Sequence, residues 1–312
     1  MSNALEALAD LMCSAGVRRV AFLGLAKNVG KTTALVAVLR ELHRRRILVG
    51  TTSAGRDGED FDALTGEPKP SFHVWPNQIV VSADSSLSAS TLAATVLERL
   101  PIATRFGSLV VARVRDEGRL EMIGPTTAAQ TARVAETLET YGAQMVLLDG
   151  AFGRRAFASA RVADGVVLAV GMAAGRTLEH VLERARAAVQ LISLERPPEG
   201  RPHRIFDGAL TDEILHERPP RPGETLVASD FASIFLSTDE RRRLASMDVT
   251  LAVERPTRLL ALTANPSSPG GGKLPPGEFL EALAACLPDV PAFDLEADLS
   301  RLPGAQAETG PT

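Results

Sequence analysis

The sequence predicts an α/β fold, a mostly parallel sheet with helices on both faces and a smaller C-terminal extension. Three observations predict it. Short continuous apolar runs at 20–23, 145–149 and 166–170 read as strands buried on both faces. They alternate with segments of helical spacing, such as Leu35, Val38, Leu39 and Leu42. The first run passes through a Gly-containing loop straight into a helix, as the strand–loop–helix step of such sheets requires.

The elements follow in order. Residues 1–16 carry acids on an amphipathic pattern, a helix and not a signal peptide. The strand at 20–23 leads to the helix of Leu35–Leu42, whose last turn holds Arg44, Arg45 and Arg46, cations that complement the helix dipole. A second strand at 47–52 runs into a polar loop, 53–62, with two glycines and four acids. A strand is expected at 79–82 and, from its spacing, a helix at 87–100. Strands at 109–114 and 120–123 flank the turn at Asp116, and a helix covers 126–141. The run at 145–149 ends in Asp149-Gly150; a strand at 166–170 and a helix at 177–191 complete this part.

A Pro-rich break at 195–202 follows, and the elements become shorter: strands at 205–210, 226–228, 251–253 and 259–263, then a helix at 276–286. The expected organisation is an α/β core over 1–195, a C-terminal α/β extension or subdomain over 203–302, and a flexible tail over 303–312.

Composition narrows the function classes. The chain has 312 residues, 45% hydrophobic and 23% charged, ordinary for a soluble globular protein. A net charge of −4 gives no basic field for nucleic acid, and 4% aromatic residues leave few platforms for stacking bases. Nothing reaches the length of uncharged apolar sequence that a membrane span needs. Cys13 and Cys286 read as small buried residues of a reducing compartment, so the expected location is the cytoplasm. The five histidines lack metal-ligand spacing.

The loop after the first strand carries the chemistry. Gly30-Lys31-Thr32-Thr33 opens the helix, the layout of a P-loop. Backbone N–H groups there face phosphate oxygens and the helix dipole favours an anion. Lys31 is placed to reach the β- and γ-phosphates, and Thr32 to put its hydroxyl on Mg2+. The contacting set is Gly24, Lys27, Asn28, Val29, Gly30, Lys31, Thr32 and Thr33. The pattern is not literal: Gly24 lies five residues before Gly30, and Leu25 occupies the position where the standard loop has its first glycine.

Asp149, an acid at a strand end, is the second half of the site, as a magnesium ligand, direct or through water; its alternative is a helix cap. Asp57, between Gly55 and Gly58, is a further metal or catalytic candidate, or part of a solvated acidic turn. Asn265 either hydrogen-bonds a base or makes turn chemistry. Arg154 and Arg155 either meet phosphate or are surface charge.

Two resemblances follow from these residues. Gly-Leu-Ala-Lys-Asn-Val-Gly-Lys-Thr, 24–32, looks like the modified loop of dethiobiotin synthetase and of the wider group that includes the ParA/MinD ATPases, whose signature lysine would fall at Ala26, not Lys27. The combination of that loop with Thr-Ser-x-Gly-Arg-Asp-Gly-Glu (52–59), Asp-Gly-Ala-x-x-Arg (149–154), Gly-Ala-Leu-Thr-Asp (208–212) and Asn-Pro-x-Ser-Pro (265–269) resembles the P-loop subunit of the lysine 5,6-aminomutase reactivase. That resemblance covers about 18–296. It implies an ATP- and Mg2+-dependent partner of an adenosylcobalamin-dependent aminomutase, acting with a MutS-like ATPase subunit to exchange damaged cobalamin. Lys31, Asp57 and Asp149 are then the catalytic set, with Thr32, Asp57 and Asp149 on the metal. The rivals are a dethiobiotin-synthetase-like ligase and a GTP-binding cofactor-insertion factor. A homodimer stays open.

Overall fold

The computed structural model describes residues 3–53, 71–151, 156–200, 202–267, 274–275 and 277–295. The strands are β1 (Arg19–Gly24), β2 (Val49–Ser53), β3 (Ser71–Val74), β4 (Ile79–Ala83), β5 (Ala94–Thr104), β6 (Gly107–Val114), β7 (Gly118–Glu121), β8 (Met145–Ala151) and β9 (Gly165–Gly171). Then come β10 (His203–Ile205), β11 (Leu210–Thr211), β12 (Thr225–Ala228), β13 (Ile234–Phe235), β14 (Thr250–Val253), β15 (Arg258–Asn265) and β16 (Ala292–Asp294). The helices are α1 (Ala4–Ser14), α2 (Lys31–Arg44), α3 (Asp84–Ala89), α4 (Ala128–Thr140), α5 (Leu178–Ile192), α6 (Asp212–Glu217), α7 (Thr238–Ser246) and α8 (Glu278–Cys286).

Nine strands form the main sheet in the order β16-β15-β9-β1-β8-β2-β4-β6-β5. From β16 to β4 every pairing is parallel; β6 and β5 close one edge antiparallel. The central strands are apolar throughout because both faces are covered. Alternation persists within them: Val20 and Phe22 of β1 join the core under α1 and α2, with Leu8, Met12, Leu35 and Leu39. Ala21 and Leu23 join the opposite core, with Leu138 of α4, Val181 of α5 and Phe279 of α8.

The chain leaves the main sheet after α5 and builds a three-stranded parallel sheet, β10-β12-β14, and a two-stranded pair, β11 and β13. It then returns, so that β15 and β16 extend the main sheet beside β9. The strand expected over 205–210 is two, β10 and β11, separated by a turn at Gly208 (φ +98°). In the Gly-Ala-Leu-Thr-Asp stretch, Thr211 caps α6, accepting from the Ile214 N–H, and Asp212 accepts from the Ser237 N–H at 2.9 Å.

One expectation is overturned. The helix read over 87–100 is only α3, followed by the edge strand β5. Pro101 cannot sit inside a helix but is tolerated at a sheet edge. Pairing with β6, through two irregularities in register, then outweighs the helical spacing of the leucines. The cysteine reading also changes: Cys13 is exposed on α1 and Cys286 half-buried on α8, where Arg186 contacts its sulfur at 3.2 Å. Arg44 and Arg45 do more than complement a dipole. Both donate to Glu41, at 2.6–2.8 Å, and Arg45 also reaches Asp10, joining α2 to α1. Among the described residues no helix is long and apolar enough to cross a membrane.

Candidate functional site

Parallel strands deliver their C-terminal ends to one edge, where ligands of open α/β sheets bind. Gly24 ends β1, Ser53 ends β2, Gly171 ends β9 and Asn265 ends β15. Asp149 lies near the end of β8, in register with Phe22 on one side and Ser53 on the other.

The loop 25–30 bridges this edge to α2. Two buried side chains anchor it, Leu25 and Val29, leaving Lys27 and Asn28 on the outside. The Leu25 N–H donates to the Ala169 carbonyl at 3.0 Å. Leu25, the residue that departs from the standard pattern, is therefore a hydrophobic peg. Val29 is 1% exposed, so its side chain belongs to the core. Gly30 adopts φ +82°, a left-handed conformation that favours glycine, and caps α2 without a side chain. A Cβ at Gly30 would lie 3.1 Å from the Asn265 amide nitrogen.

Asn265 braces this loop. Its amide Nδ2 donates to the Asn28 carbonyl at 3.4 Å, and its Oδ1 accepts from the Ser267 N–H at 3.0 Å. Of the two sequence alternatives, the structure shows turn chemistry, with a loop contact added.

The charged centre is the ion pair between Lys31 Nζ and Asp149 Oδ1. Both side chains are largely covered, at 20% and 10% exposure. Such a pair is sensitive to loss of one partner, because the survivor keeps a charge with no countercharge. Thr32 is half-buried and Thr33 exposed, and neither hydroxyl makes a hydrogen bond among the described residues. The N–H groups of Gly30, Lys31, Thr32 and Thr33 also donate to nothing among those residues; the first bond of this turn is Ala34 N–H to Gly30 carbonyl, 2.9 Å.

These residues fit an oxyanion with a divalent cation: four open N–H groups, an ammonium, a hydroxyl and a carboxylate converge there. Gly24, Lys27, Asn28, Val29, Gly30, Lys31, Thr32, Thr33, Asp149 and Asn265 thus gather at one sheet edge. Asp57, Arg154 and Arg155 lie outside the described residues.

Sequence reasoning missed three contributors. Arg184 of α5 donates to the Leu25 carbonyl at 3.3 Å and to the Ala174 carbonyl, fixing the start of the loop from outside. Gly171 lets the loop approach, for a Cβ there would lie 3.0 Å from Val29 Cα. Gly124 does the same for β2, since its Cβ would overlap the Ser53 carbonyl oxygen at 1.5 Å. Only the glycines carried a signal, at a strand end and in a Gly-Pro pair. No protein-family model matches the chain, and no curated protein sequence matches it.

Proposed function

We propose that this chain is a magnesium-dependent P-loop ATPase that works on a protein partner. The observation that carries the reading is the Lys31–Asp149 pair at the mouth of α2, beside four N–H groups without acceptors among the described residues. A triphosphate would take Lys31 from Asp149, and the freed carboxylate would face the magnesium ion with the Thr32 hydroxyl. The N–H groups of α2 would hold phosphate oxygens without any proton transfer, and Leu25 and Val29 would keep the loop in shape while they did so. The metal, when bound, supplies charge neutralisation along the phosphates.

The partner is proposed from the motif combination at 24–33, 52–59, 149–154, 208–212 and 265–269, which resembles the reactivase P-loop subunit. In that reading the chain uses ATP, with a MutS-like subunit, to release damaged cobalamin from an adenosylcobalamin-dependent aminomutase. The test has two stages. Calorimetric titration with Mg-ATP should give binding that Lys31→Ala abolishes while the far-ultraviolet circular dichroism stays unchanged; equal affinity in both proteins removes the phosphate-site reading. An inactivated aminomutase, the MutS-like subunit, ATP, Mg2+ and fresh adenosylcobalamin should then regain activity with the wild-type chain and not with Lys31→Ala. Recovery independent of ATP and of this chain removes the reactivase reading and leaves the first stage intact.

A further inference from the structure

A concave region lies beside the loop, on the seam between α5 and the β13–α7 connection. A cavity of about 200 Å3 opens there, with Leu25, Leu191, Ile234 and Leu236 forming an apolar wall and Arg184 and Arg241 on its lining.

The charges around it are unevenly matched. Helix α7 carries Arg241, Arg242 and Arg243 in succession. Arg242 pairs with Asp239 at 3.2 Å and with Glu183 at 3.6 Å. Arg243 is held by both oxygens of Glu240, at 2.8 and 2.5 Å. The neighbouring carboxylates are therefore committed. Arg241 donates one Nη1 hydrogen to the Ala187 carbonyl at 3.3 Å, and its Nε is buried with no acceptor. Arg184 meets only the carbonyls of Ala174 and Leu25. Among the described residues neither guanidinium has a carboxylate within ion-pair distance.

Two guanidinium groups without countercharge beside an apolar wall, Arg184 exposed and Arg241 half-buried, match an anion with an apolar body. The volume of about 200 Å3 is roughly seven times the ~30 Å3 liquid share of one water, the bulk of an acid of about four to six carbons. We propose that this cavity binds a short-chain aliphatic carboxylate, its head on Arg241 and Arg184 and its chain against Leu191, Ile234 and Leu236. Leu25 and Arg184 belong both to this cavity and to the loop at the proposed phosphate-binding edge, but Lys31 and Asp149 do not line it.

The test is calorimetric titration of the full chain at fixed ionic strength with pentanoate, pentanol and acetate. Pentanoate should bind at least tenfold tighter than either of the others, since only it offers both charge and chain. Arg241→Gln should weaken pentanoate at least tenfold and leave pentanol unchanged. Lys31→Ala should bind pentanoate like the wild type, which separates this site from the nucleotide reading. The proposal is overturned if pentanoate does not bind, if pentanol or acetate binds as tightly, or if Arg241→Gln retains full pentanoate affinity. The comparison of the three probes on the wild-type protein needs no variant, so a poorly folded Arg241→Gln leaves the decision intact.

Discussion

Replacing Asp149 by Asn separates the resting state of the site from its working state. The amide keeps the shape and an acceptor for Lys31 but removes the charge. An ion-paired hydrogen bond then becomes one from an ammonium to a neutral amide oxygen, a loss of about 1 kcal/mol. Full burial of both ions would raise the cost to ~3–5 kcal/mol, but the Lys31 side chain is 20% exposed and its stem can carry the ammonium to water. The melting temperature should therefore fall only by about 2–4 °C. Nucleotide affinity should move the other way when magnesium is absent. Wild-type Lys31 must leave a carboxylate before it meets a phosphate, and that carboxylate repels the phosphate once it arrives. Removing both obstacles is worth about 1–2 kcal/mol, or roughly 5–30-fold tighter ATP in excess chelator. With Mg2+ the gain should vanish and hydrolysis should drop, because under the proposed function the metal would have lost its anionic ligand. Calorimetry in chelator and across a magnesium series reads both effects, and a cycle with Lys31→Met isolates the coupling. ATP binding in chelator no tighter in Asp149→Asn than in wild type would refute the idea that the pair restrains Lys31.

Three further outcomes follow from the geometry. Gly30→Ala places a side chain at φ +82° and 3.1 Å from Asn265, so it should lose about 1–2 kcal/mol in urea unfolding, of which Asn265→Ala recovers only the contact part. Gly124→Ala drives a methyl into the Ser53 carbonyl and should cost about 3 kcal/mol or more, read as soluble yield and melting temperature. Hydrogen bonds from Arg44, Arg19 and Arg243 hold Glu41, Glu139 and Glu240 below the usual carboxylate range. Their contribution is complete above the unfolded value near ~4.3 and is lost as pH falls through the lower folded values. Urea midpoints should thus fall steadily below about pH 4.5, and less steeply in Glu41→Gln.

The fold class was legible because buried parallel strands announce themselves as unbroken apolar runs. Residues 145–149 and 166–170 needed no context, and Gly30-Lys31 marked the start of α2. Where neighbours decide conformation, local pattern failed: β5 has leucines at helical spacing, yet a proline and an available edge made it a strand. Lys31 and Asp149 were readable as separate candidates because each has a characteristic place on its element. That they pair directly was not readable, since it depends on the register of β1 against β8. Arg184 was unreadable too, because an arginine on an amphipathic helix has no local mark of the carbonyls it meets across the fold.

The position of β1 has a consequence for biosynthesis. Its partners are β8 and β9, with Val20 opposite Leu147 and Gly165, more than a hundred residues away. At ribosomal rates of about 5–20 residues per second, this apolar strand waits on the order of ten seconds before either neighbour exists. The brace at Asn265 emerges later still. The nascent chain therefore carries this apolar strand without its sheet neighbours for a large part of its synthesis, and α1 and α2, which emerge early, supply residues of the core that Val20 and Phe22 join.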